Sequence, residues 1–117
     1  MKLGEIAESL SLKDLTPELQ SQKDVVVSGG HSSDLLSDVL AHAPHGGLLV
    51  TIQVHLNVIA VAVHAGLAAV LFASGRAPDE AVTKKAVEEG IQLYVSDSAT
   101  FEVVGRLYAL GLRGSHE

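Results

Sequence analysis

Apolar residues occur in short runs broken by glycine, serine and proline, and the runs alternate between strand-like and helix-like spacing. The longest starts at Gly47-Leu48-Leu49-Val50-Thr51-Ile52-Gln53-Val54-His55-Leu56-Asn57. Its continuous apolar start suits a strand covered on both faces and predicts a central strand over 48–54. Thr51, Gln53 and His55 follow at intervals of two, so they share one face near the C-terminal end of that strand. Val58, Val61, Ala62 and Ala65 then lie on one face of a helix over 58–65, with Asn57 as its cap. That helix is apolar almost all round, so a second face must be covered by another element or by a second subunit.

The flanking stretches repeat the alternation. Leu3, Ile6, Ala7 and Leu10 predict a first amphipathic helix, and residues 12–15 a brief strand. Thr16-Pro17-Glu18 reads as a helix cap with proline at the first helical position, before a loop over 20–23. Asp24-Val25-Val26-Val27 predicts a β-branched strand that Gly29 and Gly30 end in a turn of positive φ. Ser32 or Ser33 caps the next helix, whose stripe is Leu35, Leu36, Val39, Leu40 and Ala43. Residues 68–72 predict a buried strand and 73–77 its loop. Pro78-Asp79-Glu80 opens a helix with Glu80/Lys84 and Lys85/Glu89 pairs, and Gly90 stops it. Residues 93–95 predict a last strand; Ser98 caps a final helix with Phe101, Val104, Leu107 and Tyr108 inward and Glu102 paired with Arg106 outside. The tail over 113–117 is expected to fray. Such alternation predicts an α/β fold in one domain over 1–112: a mostly parallel sheet with helices on both faces.

Composition narrows the function. The 117 residues include no cysteine, which excludes disulfides, thiolate metal sites and cysteine nucleophiles. Eight basic against fourteen acidic residues leave a net charge of −6, and aromatics are 3%, so neither a basic stripe nor base-stacking platforms point to nucleic acid. Acidic Glu5 stands where a signal peptide would be apolar, and a cytoplasmic protein is expected. The apolar stretch 48–72 is long enough to span a membrane, but Gln53, His55, Asn57 and His64 interrupt it and Gly66 breaks it, so no membrane span is expected.

If the strands are parallel, the loops after them converge on one rim, where open α/β sheets place ligands. The expected ligand site is Ser28, Gly29, Gly30 and His31 from one loop, Thr51, Gln53, His55 and Asn57 from the next, Arg76 from the third, and Ser96, Asp97 and Ser98 from the fourth. The glycine pair can offer backbone N–H groups to an anion, Arg76 a positive charge, and the polar trio after the central strand needs partners or a ligand. Neither the dinucleotide nor the P-loop pattern is present. Asp34, Asp38 and His42 at i, i+4, i+8 form a solvated stripe rather than a recognised metal motif, and His31 with His55 is the other histidine pairing at the rim. Ser28 or Ser96 could be grouped with His55 and Asp97, but no Gly-x-Ser-x-Gly elbow supports a nucleophile. No catalytic residue, metal ligand or cofactor is therefore assigned.

Three stretches in order carry a family resemblance: Val26-Val27-Ser28-Gly29-Gly30-His31-Ser32-Ser33-Asp34-Leu35-Leu36-Ser37-Asp38-Val39, then Thr51-Ile52-Gln53-Val54-His55-Leu56-Asn57, then Phe101-Glu102-Val103-Val104-Gly105-Arg106-Leu107-Tyr108. With these three motifs in order the chain resembles the DRTGG domain, and the resemblance covers nearly its whole length. Of the motif that names that family, Ser28-Gly29-Gly30 matches the end, and its Asp-Arg-Thr portion is missing. The resemblance implies a fold like the N-terminal domain of HPr kinase/phosphorylase and a domain without established catalysis. It also implies an occurrence alone or joined to CBS domains in regulated pyrophosphatases, and frequent pairing as a homodimer. Stand-alone relatives imply a neighbourhood of iron–sulfur and hydrogenase-related proteins. The expected function is a non-enzymatic regulatory module that binds a small ligand, a nucleotide or other anion, or a protein partner. The alternatives are a small hydrolase or metal-dependent enzyme using His55, and a structural dimerisation or hetero-subunit domain.

Overall fold

The computed structural model describes residues 1–114. Five strands form one sheet in the order β1-β5-β4-β3-β2: β1 is Lys13–Asp14, β2 Gly30–Ser32, β3 Leu48–Thr51, β4 Ala69–Phe72 and β5 Gln92–Val95. The last four run parallel, with Leu48 opposite Gly30 and Ala69, and Gln92 opposite Ala69, while β1 lies antiparallel to β5. The helices are α1 (Leu3–Ser9), α2 (Leu36–His42), α3 (Asn57–Ala65), α4 (Glu80–Glu89) and α5 (Thr100–Leu110).

Strand order and helix placement share one cause. From β2 to β5 each crossover steps to the next strand in the same direction, and crossovers of one hand place their helices on one face. Accordingly, Val39 of α2, Ile59 and Ala62 of α3, and Val82 and Ala86 of α4 pack with Leu49, Val70, Phe72 and Leu93. On the opposite face, Leu3 and Ile6 of α1 and Val103 and Leu107 of α5 pack with Leu48, Val50, Leu71 and Tyr94. Alternate residues of each central strand thus enter two different cores, which is why those strands read as unbroken apolar runs. Each fully buried Leu, Val or Phe among them contributes about 1.5–3 kcal/mol. The second face demanded by α3 is supplied within the chain, by α2 and α4 on either side of it.

The departures from expectation are local. Thr16 caps no helix: its buried hydroxyl accepts hydrogen bonds from Gln92 Nε2 (2.6 Å) and the Leu93 N–H (3.0 Å), and the loop expected at 20–23 is a 3₁₀ turn, Gln20–Asp24. The valine run contributes a single antiparallel bridge, Lys2 to Val26; the strand comes later, at Gly30–Ser32, in the glycines expected to end it. Neither Gly29 nor Gly30 has positive φ. They are small because the C-terminal segment passes over them: a Cβ on Gly29 would lie 2.9 Å from the Arg113 carbonyl oxygen, and one on Gly30 3.1 Å from Leu112 Cδ2. The expected serine and asparagine caps are also absent: α2, α3 and α5 begin after Leu35, Leu56 and Ala99, none of which caps through its side chain. The central strand stops at Thr51. Lys85 reaches Glu89 (3.2 Å) and Glu88 (3.8 Å), and no Glu80–Lys84 pair forms among the described residues.

On α5 the buried stripe is Val103 and Leu107, whereas Phe101 is 90% exposed and Tyr108 59%. The α2 stripe is likewise narrower than expected, since Leu35 and Leu40 are exposed. In the tail expected to fray, Arg113 is anchored: its carbonyl accepts from the Gly30 N–H (2.8 Å) and its guanidinium stacks 3.6 Å over the Tyr108 ring. The rest of that tail, residues 115–117, lies outside the described residues. Among the described residues no helix is long and apolar enough to cross a membrane.

Candidate functional site

At the C-terminal end of β3 the backbone turns away from the sheet and its polar side chains close on the loop itself. Thr51 is buried; its hydroxyl donates to Asp34 Oδ1 (2.8 Å) and accepts from the Gln53 N–H (3.0 Å). Gln53 Oε1 accepts from the His55 N–H (3.1 Å), and His55 Nδ1 from the Asn57 N–H (3.1 Å). The result is a ladder of side-chain-to-backbone bonds, each spanning two residues, which carries the chain from β3 into α3. His55, rather than Asn57, supplies the side-chain acceptor at the start of that helix. With Nδ1 accepting, the neutral imidazole carries its proton on Nε2, an outward donor on an exposed side chain.

The other loops join this one through backbone bonds. Ala73 N–H donates to the Thr51 carbonyl (3.0 Å), Ser74 N–H to Ser98 O (2.7 Å) and Gly75 N–H to Ser96 O (2.8 Å). Ser98 N–H returns to Ser96 Oγ (3.1 Å). Ser74 and Gly75 both take left-handed conformations, φ 60° and 67°, and that double turn presents Arg76 to solvent. Asp97 lies close by, its Oδ1 3.4 Å from where a Cβ on Gly75 would stand. Thr51, Gln53, His55, Asn57, Arg76, Ser96, Asp97 and Ser98 therefore occupy one rim, as parallel strands require.

Ser28, Gly29 and Gly30 do not. Gly30 pairs with Leu48, the first residue of β3, three residues before Thr51, or about 10 Å along the strand. At that opposite edge Ser28 donates from N–H to Gly46 O (3.0 Å) and from Oγ to His45 O (2.6 Å). His31 turns to the α2 face, where Nε2 meets Asp38 Oδ2 at 2.8 Å while Asp38 Oδ1 meets His42 Nδ1 at 3.0 Å. The hydrogen bonds from His31, Ser33 and His42 hold the Asp38 carboxyl below its usual range, against a smaller opposing effect of burial. His31 and His55 thus serve different loops. Among the described residues no three histidine or carboxylate side chains converge as a cation site.

Two features escaped the sequence reading. Asp34, which its spacing grouped with Asp38 and His42 in a solvated stripe, instead holds the β2–α2 loop to the rim through Thr51 and the Ile52 N–H (2.8 Å). The second is an apolar cleft of about 110 Å³ between β2 and α5, lined by Gly30, Ser32, Val50, Leu107, Tyr108 and Leu112 among others. Its walls come from segments distant in sequence, which no local spacing announces.

No family model matches the chain, and no curated protein does. Among solved structures, the chain is similar to the crystal structure of the CBS and DRTGG domains of the regulatory region of Clostridium perfringens pyrophosphatase, complexed with the activator diadenosine tetraphosphate. The TM-score is 0.75 at 13% identity, with 96% of this chain and 47% of that chain covered. The chain thus spans about half the length of its structural relative. At this identity the likeness establishes the fold, a DRTGG-like α/β domain.

Proposed function

We propose that the chain is a cytoplasmic regulatory module that binds a small anionic ligand, of the nucleotide class, at the rim formed by the loops after β3, β4 and β5. The observation that carries this reading is the double left-handed turn at Ser74-Gly75, which sets Arg76 beside the Ser96-Asp97-Ser98 loop, with no carboxylate paired to it among the described residues. A non-glycine residue held in the left-handed region is stored strain of a kind that clusters at ligand sites. Arg76 offers a fixed charge, and the Ser96 and Ser98 hydroxyls with His55 Nε2–H offer donors, a set suited to phosphate oxygens. Binding is favoured over catalysis at this rim because the acceptor groups of Thr51, Gln53 and His55 are engaged by their own backbone, so these three side chains form no nucleophile–base pair with one another. The structurally similar pyrophosphatase region is regulatory and was crystallised with an activating dinucleotide, which supports the same class of ligand.

Calorimetric titration and thermal shift with diadenosine tetraphosphate, ATP, AMP and inorganic pyrophosphate test this reading. A ligand at a hundred times its Kd adds about 2.7 kcal/mol of stability. Arg76→Ala should remove most of the response and His55→Ala part of it, with the ligand recovered intact. A flat response to all four probes at millimolar concentration, or steady conversion to product, overturns it.

A second copy of the chain as partner is favoured by a separate observation: Phe101, which the sequence places inward, is 90% exposed.

A further inference from the structure

Among the described residues, the buried side-chain polar atoms without a hydrogen-bond partner are Asp14 Oδ2, Gln92 Oε1 and Tyr94 Oη. All three lie on the β1–β5 pair, where Asp14 stands opposite Tyr94 and Gln92 Nε2 donates to Asp14 Oδ1 (2.6 Å). A fold normally satisfies such groups, so three together call for partners from outside these residues. Asp14 and Tyr94 line a pocket of about 360 Å³ between α1 and the β1 edge of the sheet, together with Lys23, Glu8, and the apolar Ala7 and Leu12. That volume falls at the lower end of the roughly 300–1,000 Å³ of small-molecule sites. No residue of the rim lines it. The Asp14 carboxylate is held in place, because Oδ1 also accepts from the Thr16 N–H (2.9 Å), which leaves Oδ2 as the acceptor still to be satisfied. Lys23 Nζ approaches Oδ2 at 3.4 Å, as an ion pair without hydrogen-bond geometry. Tyr94 is 1% exposed, and burial with the Asp14 charge pushes its phenol up to about 12, so at neutral pH it is an O–H donor.

We propose that this pocket binds a free α-amino acid as its zwitterion, the ammonium donating to Asp14 Oδ2 and the carboxylate accepting from Lys23 Nζ and the Tyr94 hydroxyl. The site is separate from the rim and does not depend on ligand binding there. The charges select this class of ligand. Asp14 and Lys23 present opposite charges 3.4 Å apart, and an α-amino acid carries its two opposite charges on one carbon. A simple anion would satisfy Lys23 and Tyr94 but meet the carboxylates of Asp14 and Glu8. A simple cation would satisfy Asp14 but meet Lys23 and leave the Tyr94 proton unbonded. Ala7 and Leu12 offer apolar contact to a short side chain.

Calorimetric titration and thermal shift of the full chain with L-alanine, L-serine and L-leucine test the proposal, against ethylamine as the ammonium alone and propionate as the carboxylate alone. At least one amino acid should bind, and both single-charge compounds should bind at least tenfold more weakly. Tyr94→Phe and Lys23→Met should each weaken amino-acid binding at least tenfold. Without amino acid the Tm of Tyr94→Phe should stay at or above that of wild type, so that the loss is one of binding and not of folding. Arg76→Ala should leave the amino-acid response intact. No heat or shift with any of the three at ten millimolar, equal affinity for ethylamine or propionate, or affinity unchanged in Tyr94→Phe and Lys23→Met overturns it. A response abolished by Arg76→Ala would belong to the rim and overturns it as well. A failure here with Arg76-dependent nucleotide binding retained would refute the pocket and leave the rim standing.

Discussion

Asp34 is the residue on which the rim depends most, and its replacement by alanine gives a quantitative test. One carboxylate oxygen accepts from the buried Thr51 hydroxyl and from the Ile52 N–H, both at 2.8 Å. Removing it strands the Thr51 donor at a position with no solvent access, at about 1–3 kcal/mol, while the more exposed Ile52 N–H can turn to water and adds less. A total near 2 kcal/mol follows. For 117 residues the unfolding entropy is about 0.25 kcal/mol per degree, so Asp34→Ala should lower Tm by about 8 °C in a calorimetric scan. The double substitution with Thr51→Val sharpens the test. With the hydroxyl gone there is no buried donor left to strand, so Asp34→Ala should cost less than half as much in the Thr51→Val background. A single-site effect below about 0.5 kcal/mol, or strict additivity of the pair, would refute the claim that this bond organises the rim.

Three further outcomes follow from named groups. Asp38 has a carboxyl held below its ordinary 3.8 by His31, Ser33 and His42, so the unfolded chain takes up its proton first as pH falls. Its contribution is present above that value and lost as pH drops through the folded pKa; Asp38→Asn should therefore flatten the acid limb of a Tm-against-pH curve, and parallel limbs would contradict this. The Tyr94 phenol is pushed up to about 12, first by burial and then by the Asp14 charge, against 10.0 unperturbed. Its neutral form is the one the fold prefers, so stability should fall as pH rises past 10 and less steeply in Tyr94→Phe; phenolate absorbance in a Tyr108→Phe background reads the titration directly. Because the Tyr94 hydroxyl is buried without a hydrogen-bond partner among the described residues, Tyr94→Phe should also be neutral or stabilising at pH 7, and a loss above about 1 kcal/mol would show that the hydroxyl has a partner.

What the sequence announced and what it hid divide along physical lines. The three central strands, α1, α3 and α4 were legible because each is set by local periodicity and stop signals: Leu3 and Ile6 on one helical face, Asp79 accepting from the Val82 N–H at the start of α4, Gly90 left-handed at its end. The rim was legible in part, since polar residues just after β3 and β5 must share an edge once the strands are parallel. The misplaced end was β2. Val25-Val26-Val27 has stronger strand propensity than Gly30-His31-Ser32, but the latter is positioned by β3 on one side and by the Arg113 carbonyl on the other. A three-residue edge strand is specified by such tertiary contacts rather than by its own composition. Moving β2 by five to six residues carried Ser28 and Gly29 from the expected ligand rim to the opposite edge.

The helix α5 failed differently, and the failure is informative. Its apolar residues at 101, 103, 104, 107, 108 and 110 satisfy two helical stripes at once, and hydrophobicity favours the one bearing Phe101 and Tyr108. Burial selects the other, because the space above β3 and β4 is already shared with Leu3, Ile6 and Leu112 and admits branched side chains such as Val103 and Leu107. A helix that buries its smaller stripe and leaves its aromatic one in water retains apolar surface that folding has not used. Phe101 and Tyr108 can each bury on the order of 150–250 Å² when covered, more than any other exposed pair on one helix here. The same ambiguity that hides the phase of α5 in the sequence thus identifies, once the phase is known, the side of the domain with most to gain from a partner.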